Sequence, residues 1–222
     1  MYTGETVLYA APVDVLQEPA AYETARSLVS EERRVRADRL RDPWDRYRSL
    51  GAECLLRRAL RLNGIEPPAV IGRTPHGQPF LPDGQAHISL SHAGRYVLCA
   101  LSRHPVGCDA EEVRTIDLRI AQRFFTPEEY RDICAQPTPA TQQVRFFRYW
   151  TLKESFMKMT GRGLSLLPSA FALCLGETIT VRQDVTPAAC FFREWDALPG
   201  YRCAVCVQDD DGPVAFRLTD CL

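Results

Sequence analysis

Helix-forming and strand-forming stretches come in two successive blocks along this chain, and that order limits the fold more than any single motif does. The first block opens on an apolar run, TVLYAAPV, which reads as a strand. Ser30 then begins an Arg-rich helical stretch, SEERRVRADRL, with the serine as N-cap and two acids in the first turn. Asp42-Pro43 breaks it, because the residue before a proline avoids the helical region. A second helix is expected from about Trp44 to Leu62, with Ala52, Leu55, Ala59 and Leu62 as its core-facing stripe and Asn63-Gly64 as its stop. Beyond a Pro/Gly-rich loop, IGRTPHGQPFLPDGQ, come two strands, AHISLSH and RYVLCALS, joined at Ala93-Gly94.

The second block repeats the order with different lengths. A strand, VGCDAE, follows His104-Pro105, and residues 117–125 read as a helix. Thr126-Pro127-Glu128-Glu129 starts another, with Thr as N-cap, Pro at the first position and Glu at the third. A polar connector, AQPTPATQ, leads to a long helix from about Gln142 to Thr160, ended by Gly161, and five short strands close the chain. Each block supplies helices and an antiparallel sheet. The expected fold is therefore α+β, with two similar, pseudo-symmetric lobes over 1–104 and 105–222.

Composition removes several functions. A formal net charge of −1 argues against a nucleic-acid binder, which usually carries a basic excess. No apolar run reaches the roughly 18 residues of a membrane span, and the first residues lack the basic start and apolar stretch of a signal peptide. Most of the nine cysteines lie in apolar runs, and the lone CxxC at Cys203 and Cys206 sits in a strand-like segment, YRCAVCV. A reduced, cytoplasmic protein is expected, and the two-lobe length points to a monomer. No P-loop, dinucleotide fingerprint, nucleophile elbow or HExxH occurs.

Four constellations could carry chemistry. In Asp109-Ala110-Glu111, strand alternation aims both carboxylates to one face, where they repel and call for a cation or protons. Oxygen ligands without nearby His or Cys suit Mg²⁺, although a D-x-E taken alone is more often a solvated strand end. On the long helix, Trp150, Glu154 and Lys158 share a face at i, i+4 and i+8. Their bland reading is a surface ion pair, but Phe146, Phe147, Tyr149 and Phe156 mark this helix as packed. Of 27 basic residues only Lys153 and Lys158 are lysine, both in WTLKESFMK, which suggests a need there for the compact cation. Ser91-His92 ends a strand, and seven arginines from Arg33 to Arg48 are interleaved with acids, as on a solvated helical face.

Order and spacing bind these signals together. HISLSHAGRYVLCALSRHPVGCDAEEV, then RFFTPEEY, then FFRYWTLKESFMKMTGRGLSL closely resemble the 4′-phosphopantetheinyl transferase superfamily, in its surfactin-synthetase-activating class of two-lobed single chains. The resemblance implies that Asp109, Glu111 and Glu154 hold Mg²⁺ and that Lys158 contacts the phosphates of coenzyme A. It places Ser91 and His92 at the diphosphate and 3′-phosphate region. It assigns Arg33, Arg36, Arg48 and Ser49 to holding coenzyme A, and Gly77-Gln78-Pro79 to the neighbourhood of the adenosine. The family often has lysine where this chain has Gln78, so coenzyme A affinity should lean on the arginines. Glu129 matches a family acid near the site, and the capping box explains it equally well.

The reaction so implied is attack by a carrier-protein serine on the β-phosphate of coenzyme A, releasing adenosine 3′,5′-bisphosphate. Glu154 or a metal-held water would take the serine proton, and coenzyme A is expected between the lobes. Two other readings remain: a coenzyme A hydrolase using water as nucleophile, and a non-catalytic coenzyme A-binding protein. Which acyl or peptidyl carrier protein is served is not written in the sequence.

Overall fold

Two compact units emerge in the computed structural model, which describes residues 2–68 and 70–222: Met1–Arg103 with Gly212–Leu222, and His104–Asp211. The first unit begins with β1 (Thr6–Pro12), followed by α1 (Pro19–Leu28), α2 (Glu31–Asp38) and α3 (Pro43–Leu62). Ser30 caps α2 by accepting from the Arg33 amide, and Asp42 caps α3 from the Trp44 amide with Pro43 at the first position. A short hairpin of β2 (Gly72–Arg73) and β3 (Pro79–Phe80) precedes β4 (His87–Ala93) and β5 (Tyr96–Ser102).

The main sheet of this unit runs β11-β1-β5-β4, where β11 is Val214–Leu218. β5 pairs antiparallel with both β1 and β4, whereas β11 lies parallel to β1, from Thr6 opposite Val214 to Ala10 opposite Leu218. Residues 212–222, placed in the second lobe by the sequence division, therefore return to the first unit, because β1 has a free edge that this strand fills. α3 packs on the sheet with a wider face than its expected stripe: Leu56 and Leu60 are buried beside Ala52, Leu55 and Ala59. Leu62, counted in that stripe, is 55% exposed: it is the last residue of the helix, and in that turn the buried positions are Ala59 and Leu60.

The second unit carries β6 (Val106–Glu112), α4 (Arg119–Phe124), α5 (Pro127–Cys134) and α6 (Pro139–Met159). Its strands are β7 (Ala172–Leu175), β8 (Ile179–Arg182), β9 (Cys190–Trp195) and β10 (Tyr201–Gln208). β6-β10-β9 form an antiparallel sheet and β7-β8 a separate hairpin. α6 starts at Pro139, earlier than the expected Gln142, because Thr138 and Thr141 build a capping box inside the polar connector. Cys203 and Cys206 are buried free thiols within β10, as a strand reading of that CxxC requires. No helix among the described residues is long and apolar enough to cross a membrane.

One contact fixes how α6 meets β6. A Cβ built on Gly107 would lie 1.9 Å from the Ser155 carbonyl oxygen and 2.4 Å from the Met159 amide nitrogen. Only glycine lets the helix backbone rest directly on the strand, and that brings Lys158 down to the level of Asp109.

Candidate active site

The acid cluster of the second unit grows from β6 and α6. Asp109 and Glu111 leave one face of β6, and Trp150, Glu154 and Lys158 leave the facing stripe of α6. Lys158 donates to Asp109 Oδ1 at 2.7 Å and to the Cys108 carbonyl at 3.0 Å. Asp109 is 4% exposed, while Glu111, Glu154 and Lys158 are part-buried.

Electrostatics separate these acids from ordinary surface carboxylates. Burial, then the charge of Asp109, pushes the Glu111 carboxyl up to about 7, against the pull of Lys158, Arg114 and a hydrogen bond to Trp150. Burial and Asp109 also raise Glu154, with Lys158 opposing. For Lys158, burial alone would depress the ammonium, but Asp109 and Glu154 outweigh it and hold the pKa above its ordinary value. Three carboxylates thus face one ammonium, and the surplus negative charge is what a further cation would relieve. Among the described residues, no group of three or more His, Cys, Asp or Glu side chains stands close enough to hold a metal as it is. The donor chemistry nonetheless fits a hard cation: oxygen ligands only, crowded and part-buried.

Lys153, the other lysine of the segment, points elsewhere. Its side chain is 1% exposed, and its ammonium pairs with Glu129 at 2.9 Å and donates to the carbonyls of Pro168 and Phe171. Glu129, also 1% exposed, closes the capping box by accepting from the Thr126 amide and takes the Leu173 amide on its other oxygen. Of the two sequence readings of Glu129, the capping box is present. The pair ties α5, α6, the turn at 168–171 and β7 together.

The first unit holds the arginine positions. Arg33 is tied inward: its Nε donates to Glu53 at 3.2 Å, its Nη1 to the Ser49 hydroxyl at 3.5 Å, and its side chain is 10% exposed. Glu53 is the organiser that sequence reasoning missed. It accepts from the Ser30 amide and hydroxyl and from Arg33 and Arg57. A charged residue inside the buried run GAECLL was the available signal. Arg36 is exposed on α2. Arg48 donates to the Gly94 carbonyl at 2.8 Å and pairs with Asp45, bracing the β4–β5 turn two residues from His92. At the end of β4, Ser91 is buried and His92 exposed. Gly77, with φ of +81°, shapes the loop that sets Gln78 and Pro79.

A family model for the 4′-phosphopantetheinyl transferase superfamily matches residues 105–206. The chain is 33% identical over 192 residues to 4′-phosphopantetheinyl transferase Sfp of Bacillus subtilis (strain 168), covering 84% of this chain and 85% of that protein. To 4′-phosphopantetheinyl transferase psf-1 of Bacillus pumilus it is 35% identical over 202 residues, with 89% and 86% covered. To 4′-phosphopantetheinyl transferase HetI of Nostoc sp. (strain PCC 7120 / SAG 25.82 / UTEX 2576) it is 32% identical over 197 residues, with 85% and 81% covered.

Proposed function

The chain belongs to the 4′-phosphopantetheinyl transferase superfamily, and from that premise we propose how its residues move the phosphopantetheine arm of coenzyme A onto the serine hydroxyl of a carrier protein. The observation that carries the reading is the meeting of Asp109 and Glu111 on β6 with Glu154 and Lys158 on α6.

Asp109, Glu111 and Glu154 are the residues proposed to hold Mg²⁺, which when bound neutralises diphosphate charge and stabilises the leaving phosphate. Lys158, held in the cationic form by Asp109 and Glu154, sets a positive charge where the transferring phosphoryl group gathers negative charge. Glu154 is proposed to accept the serine proton. Burial, then Asp109, raises its pKa above that of an exposed carboxylate, the direction that favours accepting a proton. The serine oxygen bonds to the β-phosphorus, the bond from that phosphorus to the bridging oxygen breaks, and adenosine 3′,5′-bisphosphate leaves with that oxygen. The chain is proposed to work as a monomer on an acyl or peptidyl carrier protein.

The test is the intact mass of a purified apo carrier protein after incubation with this protein, coenzyme A and Mg²⁺. One added phosphopantetheine, lost on adding EDTA or with Glu111→Ala, is the expected result. Coenzyme A cleaved at the same rate without any carrier protein would replace the transferase by a hydrolase.

A further inference from the structure

A charged cleft in the second unit is used by neither the sequence motifs nor the reading above. Thr141, Arg145 and Arg148 line it from α6, Glu194 and Asp196 from β9 and its end, and Arg202 from β10. Its volume of about 390 Å³ falls in the range of small-molecule sites. The steps of four and three between Thr141, Arg145 and Arg148 mark one face of α6, turned away from the face of Trp150, Glu154 and Lys158. Strand register sets the opposite wall. Glu194 lies opposite Ala204, two positions from Arg202 on β10, so both side chains leave the sheet face that α6 covers.

The three guanidiniums of the cleft are unequally paired. Arg148 is well paired, with its Nε 2.9 Å from each oxygen of Glu194. Arg145 stands 3.7 Å from Asp132, whose Oδ2 already accepts from the Tyr149 hydroxyl at 2.8 Å. Arg202 stands 3.8 Å from Asp196, a side chain 82% exposed. Both separations are longer than a hydrogen bond. Arg202 Nε is buried and has no hydrogen-bond partner among the described residues. With Asp132 counted, the formal charges cancel, so the cleft lacks acceptors in the right places rather than negative charge as such. A charged donor left buried and unpaired is unfavourable, and an acceptor oxygen entering the cleft removes that cost.

We propose that this cleft binds a small organic acid or phosphate ester, whose anionic oxygens bridge Arg145 and Arg202 and accept the Arg202 Nε–H. Two guanidinium forks on facing walls suit the paired oxygens of a carboxylate or phosphate better than two point charges would. The inference does not rest on the transferase reading, since it uses no residue of the acid cluster.

The experiment titrates inorganic phosphate and succinate, separately, into the full chain by calorimetry, with coenzyme A at saturation so that the sites it fills are closed to the probes. One probe at least should bind one to one. Arg202→Lys keeps the charge and loses the Nε–H fork, and should weaken that binding about 10-fold or more, the scale of one charge-assisted contact. Arg145→Gln, on the opposite wall, should weaken it similarly, so the outcome does not hang on the folding of one variant. The ¹⁵N–¹H signal of Arg202 Nε, identified by its disappearance in Arg202→Lys, should shift along the same titration. Arg193 pairs with Asp211 outside the cleft, and Arg193→Lys should bind the probe as wild type does. Tighter binding of phosphate assigns the phosphate ester, and tighter binding of succinate the organic acid. No saturable binding of either probe, equal binding in Arg202→Lys and Arg145→Gln, or an Nε signal that stays in place would overturn the proposal. So would an equal loss in Arg193→Lys, because general surface charge would then account for the binding.

Discussion

Along α6 a lysine meets a carboxylate twice, and the two meetings are balanced differently. Lys153 has three donors and three acceptors, in Glu129 and the carbonyls of Pro168 and Phe171, and Glu129 accepts two amides besides. The ammonium also lies 4.3 Å from the centre of the Phe171 ring. Lys158 faces Asp109 with Glu111 and Glu154 close by, so the acids outnumber the ammonium they share and the pKa values of Glu111 and Glu154 rise. A fully answered charge pair serves the fold. A part-buried surplus of like charge costs stability, and such surpluses gather where a ligand completes the balance. Two lysines of one short motif thus have separate work, although the composition skew marks them alike.

The strongest way to break the comparison is to remove Lys153. Lys153→Met leaves Glu129 as an uncompensated buried charge and should cost about 3–5 kcal/mol, read as a large loss in urea midpoint. If the variant instead unfolds like wild type and merely loses activity, Lys153 belongs to the chemistry and the division fails. Asp109→Asn should do the reverse: a small change in unfolding midpoint and a fall in transfer on the order of 10²-fold or more, the scale of losing a central electrostatic contact. Circular dichroism together with the carrier mass shift reads both.

A pH series sharpens the same contrast. With its carboxyl raised to about 7 from an ordinary 4.5, Glu111 keeps a proton in the folded chain that the unfolded chain has already released. The stability from that proton is present below 4.5 and is lost as pH rises to about 7, so the metal-free Tm should fall across this window. Glu111→Gln should flatten the slope, and Mg²⁺ should restore more of the Tm at about pH 8 than at about pH 5.5. A metal-free Tm with the same slope in Glu111→Gln would mean that this acid is not the one under strain. The smallest effect belongs to Arg48→Ala, which removes the brace on the Gly94 carbonyl and should raise the coenzyme A KM by about 3-fold, within the range of one modest hydrogen bond.

Much of the second unit's site was legible because it obeys local rules. Alternation on VGCDAE and the four-residue spacing of Trp150, Glu154 and Lys158 are periodicities of single elements, and Gly107 lets those elements touch. What stayed hidden depends on partners distant in sequence. α1 was not read: of PAAYETARSL only Ala25 is fully buried, and Ala21 and Tyr22 beside it pack against the core only in part. The role of Lys153 needs Glu129, twenty-four positions away, and the inward turn of Arg33 needs Glu53. Nor does VAFRLT say which sheet it joins, since an alternating strand fits either unit.

That last strand also sets a timetable. About 110 residues separate the end of β5 from β11, and at about 5–20 residues per second the ribosome takes roughly 5–20 s to make them. Throughout that interval, while the contiguous second unit is itself being made, β1 has β5 on one side and a bare row of amides and carbonyls on the other. Nascent chains crowded on one messenger would therefore be most exposed to edge-to-edge mispairing at β1, until residues 214–218 emerge and seal it.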